Sequence, residues 1–320
     1  MIGNNLHKAL VEEMRKRIPQ NSQLVKKLIN ILFIEKEAVY RRLKGDVSFT
    51  FNEVAVIVKE LGISLDTLIG VEVEKSQPFR MKLPEFVYPE KIDLYQFTDY
   101  INFLKKLSIT PNTEMGVVTN MIPQELFAGF SMLVKYHVFK WQYFFNNHQA
   151  KPFDELIVPD KVMGIFKLQF AEMKKIKVSH YIFDKHIFSR IAKDIDYFKN
   201  IRLMKDEDIT LIKRDLLDFL NYIEKTTITG RFPETGARIF LYIADLDITM
   251  SFYYVESDEI HYSQIKAFIL TSATSQDKKT FLKMKDWIRT GMKASNLITE
   301  TQEQQRILYF EQQRKIVNAI

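Results

Sequence analysis

Four basic side chains and a tyrosine fall within the ten residues KEAVYRRLKG: Lys36, Tyr40, Arg41, Arg42 and Lys44. Cations at that density beside an aromatic hydroxyl suit contact with phosphates and base edges rather than bond breaking. Side chains that usually carry catalysis are dispersed. The six histidines are His7, His137, His148, His180, His186 and His261, and no pair has the HExxH spacing of a zinc helix. His180 and His186 read as lying on opposed faces of one helix. There is no glycine-rich phosphate loop and no G-x-S-x-G elbow. The chain has no cysteine, which excludes disulfides, thiolate catalysis and cysteine zinc sites. Asp245 and Asp247, in ADLDI, alternate as on a strand and could bind a cation or a sugar, although such a pair more often marks a turn or a polar strand face. The aromatic run Tyr136 to Asn147, YHVFKWQYFFNN, could line a ligand pocket but reads first as core, because large rings dominate interiors. No enzymatic activity, cofactor or metal is expected.

The 320 residues suffice for two domains, and 46% apolar and 27% charged residues are ordinary for a globular chain. Forty-six Lys and Arg against 40 Asp and Glu give a net charge of +6, which permits a nucleic-acid partner without demanding one. The first residues, MIGNNLHKALVEEMRKRIPQ, carry charges where a signal peptide needs Leu and Ala. Nowhere do about 18 apolar residues run together, so no membrane span is expected. The expected location is cytoplasmic, and frequent Ile, Lys, Asn and Phe suggest an AT-rich bacterial genome.

The basic segment must be held by its neighbours. Leu6, Leu10, Met14 and Ile18 repeat at helical spacing, and Pro19 ends that helix. Ser22 is placed to cap a second helix carrying Leu24, Leu28, Ile29 and Leu32. A third runs from Glu35 to Leu43, with Gly45 placed for a left-handed cap. Thr50 and Glu53 have capping-box spacing at the start of a fourth, which Gly62 ends, and Ser64 begins a short fifth. The expected core is Leu24, Leu28, Ile29, Leu32, Ile34, Val39, Leu43, Val54, Ile57, Val58, Leu61, Ile63, Leu65 and Leu68. In this arrangement Ala38, Val39 and Leu43 face inward while Lys36, Glu37, Tyr40 and Arg41 project outward. Arg42 and Lys44 lie where they can neutralise phosphates. Glu35 and Glu37 suit a helix N-terminus and could accept from cytosine amino groups.

The stretch LINILFIEKEAVYRRLKGDVSFTFNEVAVIVKELGISLDTLIG resembles the helix-turn-helix domain of the Cro/C1 (XRE-like) repressor family, over about residues 5–70. The resemblance rests on an apolar second helix, the AVYRRLKG recognition segment and the helix pair FNEVAVIVKELGISLDTL, in the family's order. It implies sequence-specific binding of double-stranded DNA by a transcriptional regulator, usually a homodimer, with the third helix in the major groove. By position, Glu35, Lys36, Glu37, Tyr40 and Arg41 fall where that family reads bases. Lys26, Lys27, Arg42, Lys44 and Thr50 fall near the DNA backbone. Two residues depart from the family: Phe33 stands where the turn commonly has glycine, and Ile29 where a small residue is common. A bulky side chain resists a left-handed backbone, so a wider turn is expected. Residues 1–72 carry 11 Lys and Arg against 9 Asp and Glu. So small an excess predicts weak, salt-sensitive non-specific affinity and a need for two half-sites.

The remainder divides into a linker, residues 73–91, within a proline-rich stretch that lacks helical or strand period, and a helix-rich region, residues 92–320. EMGVVTNM fits a helix or a short strand, and HYIFDKHIFSRIAKDIDYFKNI reads as helix. From Arg231, two Ile-, Tyr- and Phe-rich segments flank the turn signal SDE and read as antiparallel strands. Ser275 is placed to cap a following helix. The last segment reads as a polar amphipathic helix of the kind that docks late or meets a partner. The expected fold is mainly α with a small antiparallel sheet (α+β): an all-α helix-turn-helix domain plus a larger domain for dimerisation or for sensing an unknown small-molecule effector. The competing reading is a protein-interaction module that uses the helical domain as a docking surface.

Overall fold

The computed structural model describes residues 2–63, 65–68, 79–82, 94–145, 151–268 and 271–320. It divides into two compact units, Met1–Pro78 and Phe79–Ile320.

The first unit contains α1 (Ile2–Arg17), α2 (Asn21–Leu32), α3 (Lys36–Lys44), α4 (Phe51–Leu61) and α5 (Leu65–Leu68). Leu24, Val25 and Leu28 of α2, Val39 and Leu43 of α3 and Ile57 of α4 are buried together, as one-sided helical spacing requires. Leu10, Val11 and Met14 of α1 and Phe49 from the α3–α4 connection close this core, although none of them belongs to the expected set. Gln20, not Ser22, occupies the N-cap of α2, and its carbonyl accepts the amides of Gln23 and Leu24, both at 3.0 Å. Gly45 (φ 87°) and Gly62 (φ 64°) terminate α3 and α4 in the left-handed region that glycine adopts without Cβ strain.

The second unit is built on β1 (Arg80–Lys82), α6 (Leu94–Ile109), β2 (Glu114–Thr119), α7 (Gln124–Phe127), α8 (Ser131–Phe145), α9 (Asp160–Met173) and β3 (Val178–Asp184). It continues with α10 (Ile187–Asn200), α11 (Asp206–Thr229), β4 (Arg238–Ala244), β5 (Ser251–Glu256), β6 (His261–Phe268) and β7 (Thr271–Ser275). It ends with α12 (Lys278–Lys293), β8 (Ser295–Leu297) and α13 (Glu303–Asn318). The strands form one eight-stranded sheet in the order β1-β7-β6-β5-β2-β3-β4-β8. β2, β3 and β4 are parallel, and every other pairing is antiparallel. The small antiparallel sheet is therefore wrong: the unit is α/β, with a large mixed sheet.

The physical reason lies in burial. In β3, Ser179, Tyr181, Ile182 and Phe183 are all buried, one face under the helical layer and the other under α12. A strand covered on both faces loses the polar–apolar alternation that betrays a strand. His180 consequently sits on β3 and His186 at the N-cap of α10, not on one helix. β1 lies inside the stretch read as a linker and pairs with β7 through Arg80↔Thr274 and Lys82↔Ser272; most of that stretch lies outside the described residues. Residues flanking SDE do form an antiparallel pair, β5 and β6, with Glu256 opposite His261. Asp277, not Ser275, caps α12, its carboxylate accepting the Thr280 amide at 2.8 Å.

From β4 the chain crosses back over the carboxyl ends of β3 and β2 to begin β5. Asp184 accepts the Ile248 amide at 2.7 Å, and Asn120 donates to the Thr249 carbonyl at 3.2 Å, so the crossing loop is pinned at both strand ends. Burial would raise the Asp184 carboxyl, but the amides of Ile248 and His186 and the guanidinium of Arg190 hold it below the ordinary carboxylate range. No described helix is long and apolar enough to cross a membrane.

Candidate nucleic-acid interface

The turn between α2 and α3 rests on Phe33. Its backbone is left-handed (φ 55°, ψ 39°), and its amide caps α2 through the Ile29 carbonyl at 3.0 Å. Bulk does not keep Phe33 out of the left-handed region: it takes the glycine-like conformation and leaves its ring 92% exposed. Such a conformation costs a residue bearing a Cβ about 1–2 kcal/mol, which the core contacts of α2 and α3 offset.

α3 then runs with Val39 and Leu43 buried and Ala38 and Tyr40 half-buried. Glu35 occupies the N-cap and, with Lys36, Glu37, Arg41 and Lys44, is exposed. The Lys36 ammonium lies 6.0 Å from the Tyr40 ring centroid, at the outer limit of a cation–π contact. On α2, Lys26 is exposed, and Lys27 is half-buried 3.5 Å from the Glu60 carboxylate.

Glu53 fixes how α3 meets α4. One of its oxygens accepts the Thr50 amide at 2.8 Å, completing a capping box, and also Nε of Arg42 at 3.0 Å. The other oxygen lies 2.9 Å from Nη2 of Arg42. Arg42 also donates to the Ala38 carbonyl at 3.3 Å. Its guanidinium therefore ties two helices together, and its charge is offset within the unit. Burial pushes the Glu53 carboxyl up, but the Arg42 and Thr50 hydrogen bonds outweigh that and hold it below the ordinary carboxylate range. His7 of α1 reaches the Arg42 carbonyl at 2.8 Å and stacks on Phe49 at 5.3 Å. Spacing revealed the capping box, but nothing in the order of residues pointed Arg42 at its carboxylate or His7 at α3.

Other residues singled out for chemistry are engaged locally. Asp245 follows β4 in the crossing loop and accepts from Asn296 at 2.9 Å; Asp247 lies 3.5 Å from His186. His148 lies outside the described residues. No group of three or more His, Asp or Glu among the described residues is placed to hold a metal ion. No family model, curated protein or solved structure matches the chain.

Proposed function

We propose that the chain is a sequence-specific, DNA-binding transcriptional regulator acting in the cytoplasm as a homodimer, with α3 entering the major groove. The observation that carries this reading is the division of α3 into two faces. Val39 and Leu43 are locked into the core, while Lys36, Glu37, Arg41 and Lys44 are free of buried contacts and point to solvent. A helix held on one side and charged on the other meets the geometric need of major-groove readout. Lys36, Glu37, Tyr40 and Arg41 would meet base edges, as would Glu35 at the cap. Lys26, Lys27, Lys44 and Thr50 would lie along phosphates, and Arg42 would act chiefly by holding the recognition helix against α4. The second unit would supply dimerisation or effector sensing.

The test is selection of bound sequences from a random duplex pool by the full chain. An enriched inverted repeat is the expected result, because a two-fold protein dimer selects two-fold DNA. Failure to enrich any sequence at low salt would overturn the proposal. One observation favours a second reading, a protein-docking module: Phe33 and Phe51 of the same unit are 92% and 81% exposed. That reading gains ground if DNA affinity is lost on raising salt equally for every sequence and survives Arg41→Ala.

A further inference from the structure

A cavity of about 360 Å³ opens at the carboxyl end of β2 in the second unit, between α8, α10 and the inner end of β6. That volume is at the small end of the range for ligand pockets, and the carboxyl ends of parallel strands are where open α/β sheets take ligands. Its wall is divided by chemistry. Phe127, Trp141, Ile187 and Ile191 give it an apolar side. Lys140, Arg190, Lys193 and Lys266 bring four cations to it, against the single carboxylate of Asp194.

Those cations are not equivalent. Lys140 pairs with Asp194 at 2.5 Å. Arg190 is oriented by Asp184 at 3.1 Å and by the Asn120 carbonyl at 3.2 Å, the two residues that also pin the crossing loop. Lys193 is exposed at the mouth. Lys266 differs most. It stands opposite Ser251 on the core-facing side of β6, immediately before a register shift between Lys266 and Phe268. Bulges of this kind commonly re-aim a side chain beside a site. Its ammonium lies over the Tyr253 ring at 5.2 Å and has neither a hydrogen bond nor an ion pair among the described residues. Burial pulls the Lys266 pKa down, and the field of buried Glu125 only partly opposes it. His137 adds no charge: burial holds its pKa down to about 3, and its Nδ1 meets the Leu133 carbonyl at 2.8 Å.

We propose that this cavity binds a small organic anion, a carboxylate or phosphate monoester on an apolar or aromatic body, with Lys266 and Arg190 at the head and Trp141 against the body. The Lys266 ammonium is half-buried and lacks a counter-charge among the described residues, and an incoming anion supplies one together with a charge-assisted hydrogen bond. The inference goes beyond the DNA-binding reading and stands on different residues, so either can fail alone.

The test uses the full chain carrying Trp287→Phe, which removes a 62%-exposed tryptophan and leaves Trp141 as the single indole. The probe is 1-anilinonaphthalene-8-sulfonate, excited by energy transfer from Trp141 and displaced by phenyl phosphate, benzoate or neutral benzyl alcohol. At least one of the two anions should displace it about ten-fold more effectively than the alcohol, and the preferred anion identifies the head group. Lys266→Met should weaken that anion by about ten-fold and leave the alcohol within about two-fold, as expected for a charged hydrogen bond. No transfer signal, equal displacement by anion and alcohol, or unchanged anion affinity in Lys266→Met would overturn the proposal. Should Lys266→Met not fold, Lys193→Gln at the exposed mouth replaces it; a roughly three-fold weaker anion affinity is expected, and an unchanged one counts against the site.

Discussion

At the scale of single residues, the recognition turn rests on Phe33, a side chain in a conformation it does not favour. Phe33→Gly removes about 1–2 kcal/mol of left-handed strain, while glycine's larger unfolded-state entropy returns about 0.5–1 kcal/mol. The ring is almost wholly exposed, so little packing is lost. Urea denaturation should therefore show a net gain of roughly 0.5–1 kcal/mol; a loss would mean that the ring has a role the exposed position hides. Gly116 is the opposite case. A Cβ there would lie 2.0 Å from the Tyr254 ring, which crosses directly over the glycine. Gly116→Ala should cost several kcal/mol, about 3 or more, because a buried ring has nowhere to move. For function, Arg41→Ala should relax specificity at one base position, with a cost of about 1–3 kcal/mol on the preferred site. Lys44→Ala should instead weaken all sequences alike and flatten the salt dependence by about one unit of slope.

At the scale of elements, two ion networks hold helices in place. In the first unit the Arg42–Glu53 pair joins α3 to the cap of α4, with side chains 16% and 14% exposed. Glu53→Gln should lower stability by about 1–3 kcal/mol. Because the folded pKa of Glu53 lies below its ordinary value of 4.5, the unfolded chain takes up the proton first as pH falls. The contribution of this pair is thus complete above about pH 4.5 and disappears as pH drops through the folded value, and Glu53→Gln should lack that part of the acid-side loss. In the second unit Lys285 of α12 contacts Glu256 and lies 3.4 Å from Glu114, which accepts the Tyr254 hydroxyl at 2.5 Å. Lys285→Met removes the Glu256 partner and leaves Glu114 with the Tyr254 hydroxyl and Arg289, 3.8 Å away. A loss of about 1–3 kcal/mol in thermal or denaturant unfolding is expected, because the two carboxylates are only partly buried.

At the scale of the whole molecule, the two units have separate hydrophobic cores, one of eleven buried apolar residues among those described and one organised on both faces of the mixed sheet. A polypeptide of residues 1–78 should therefore fold alone, with a cooperative loss of helical circular dichroism on heating. A gradual, non-cooperative loss would show that its core is incomplete without the second unit. In that second unit the parallel trio β2, β3 and β4 fixes where a ligand can enter. Asn120 and Asp184, which hold the crossing loop from β4 to β5, meet Arg190 at the carboxyl ends of β2 and β3.

The local elements of the first unit were legible in the sequence by itself: α3 to within one residue at each end, the capping box at Thr50 and Glu53 and the glycine stops at Gly45 and Gly62. All of these depend on residues three or four apart, where helical contacts are made. The pairing of the strands flanking SDE was legible too, since a short turn brings them side by side, although β5 also pairs with β2 and β6 with β7. The sequence did not reveal β3, whose two buried faces erase the alternating pattern, nor the parallel pairing of β2, β3 and β4, which joins residues about sixty apart. Nothing in the chain order singled out Lys266; the register with Ser251 is what turns it toward the core. Arg42 looked like a free cation until the packing of α3 on α4 brought Glu53 to it. Contacts between distant segments are set by how whole faces bury against one another, and that information resides in no single stretch of the chain.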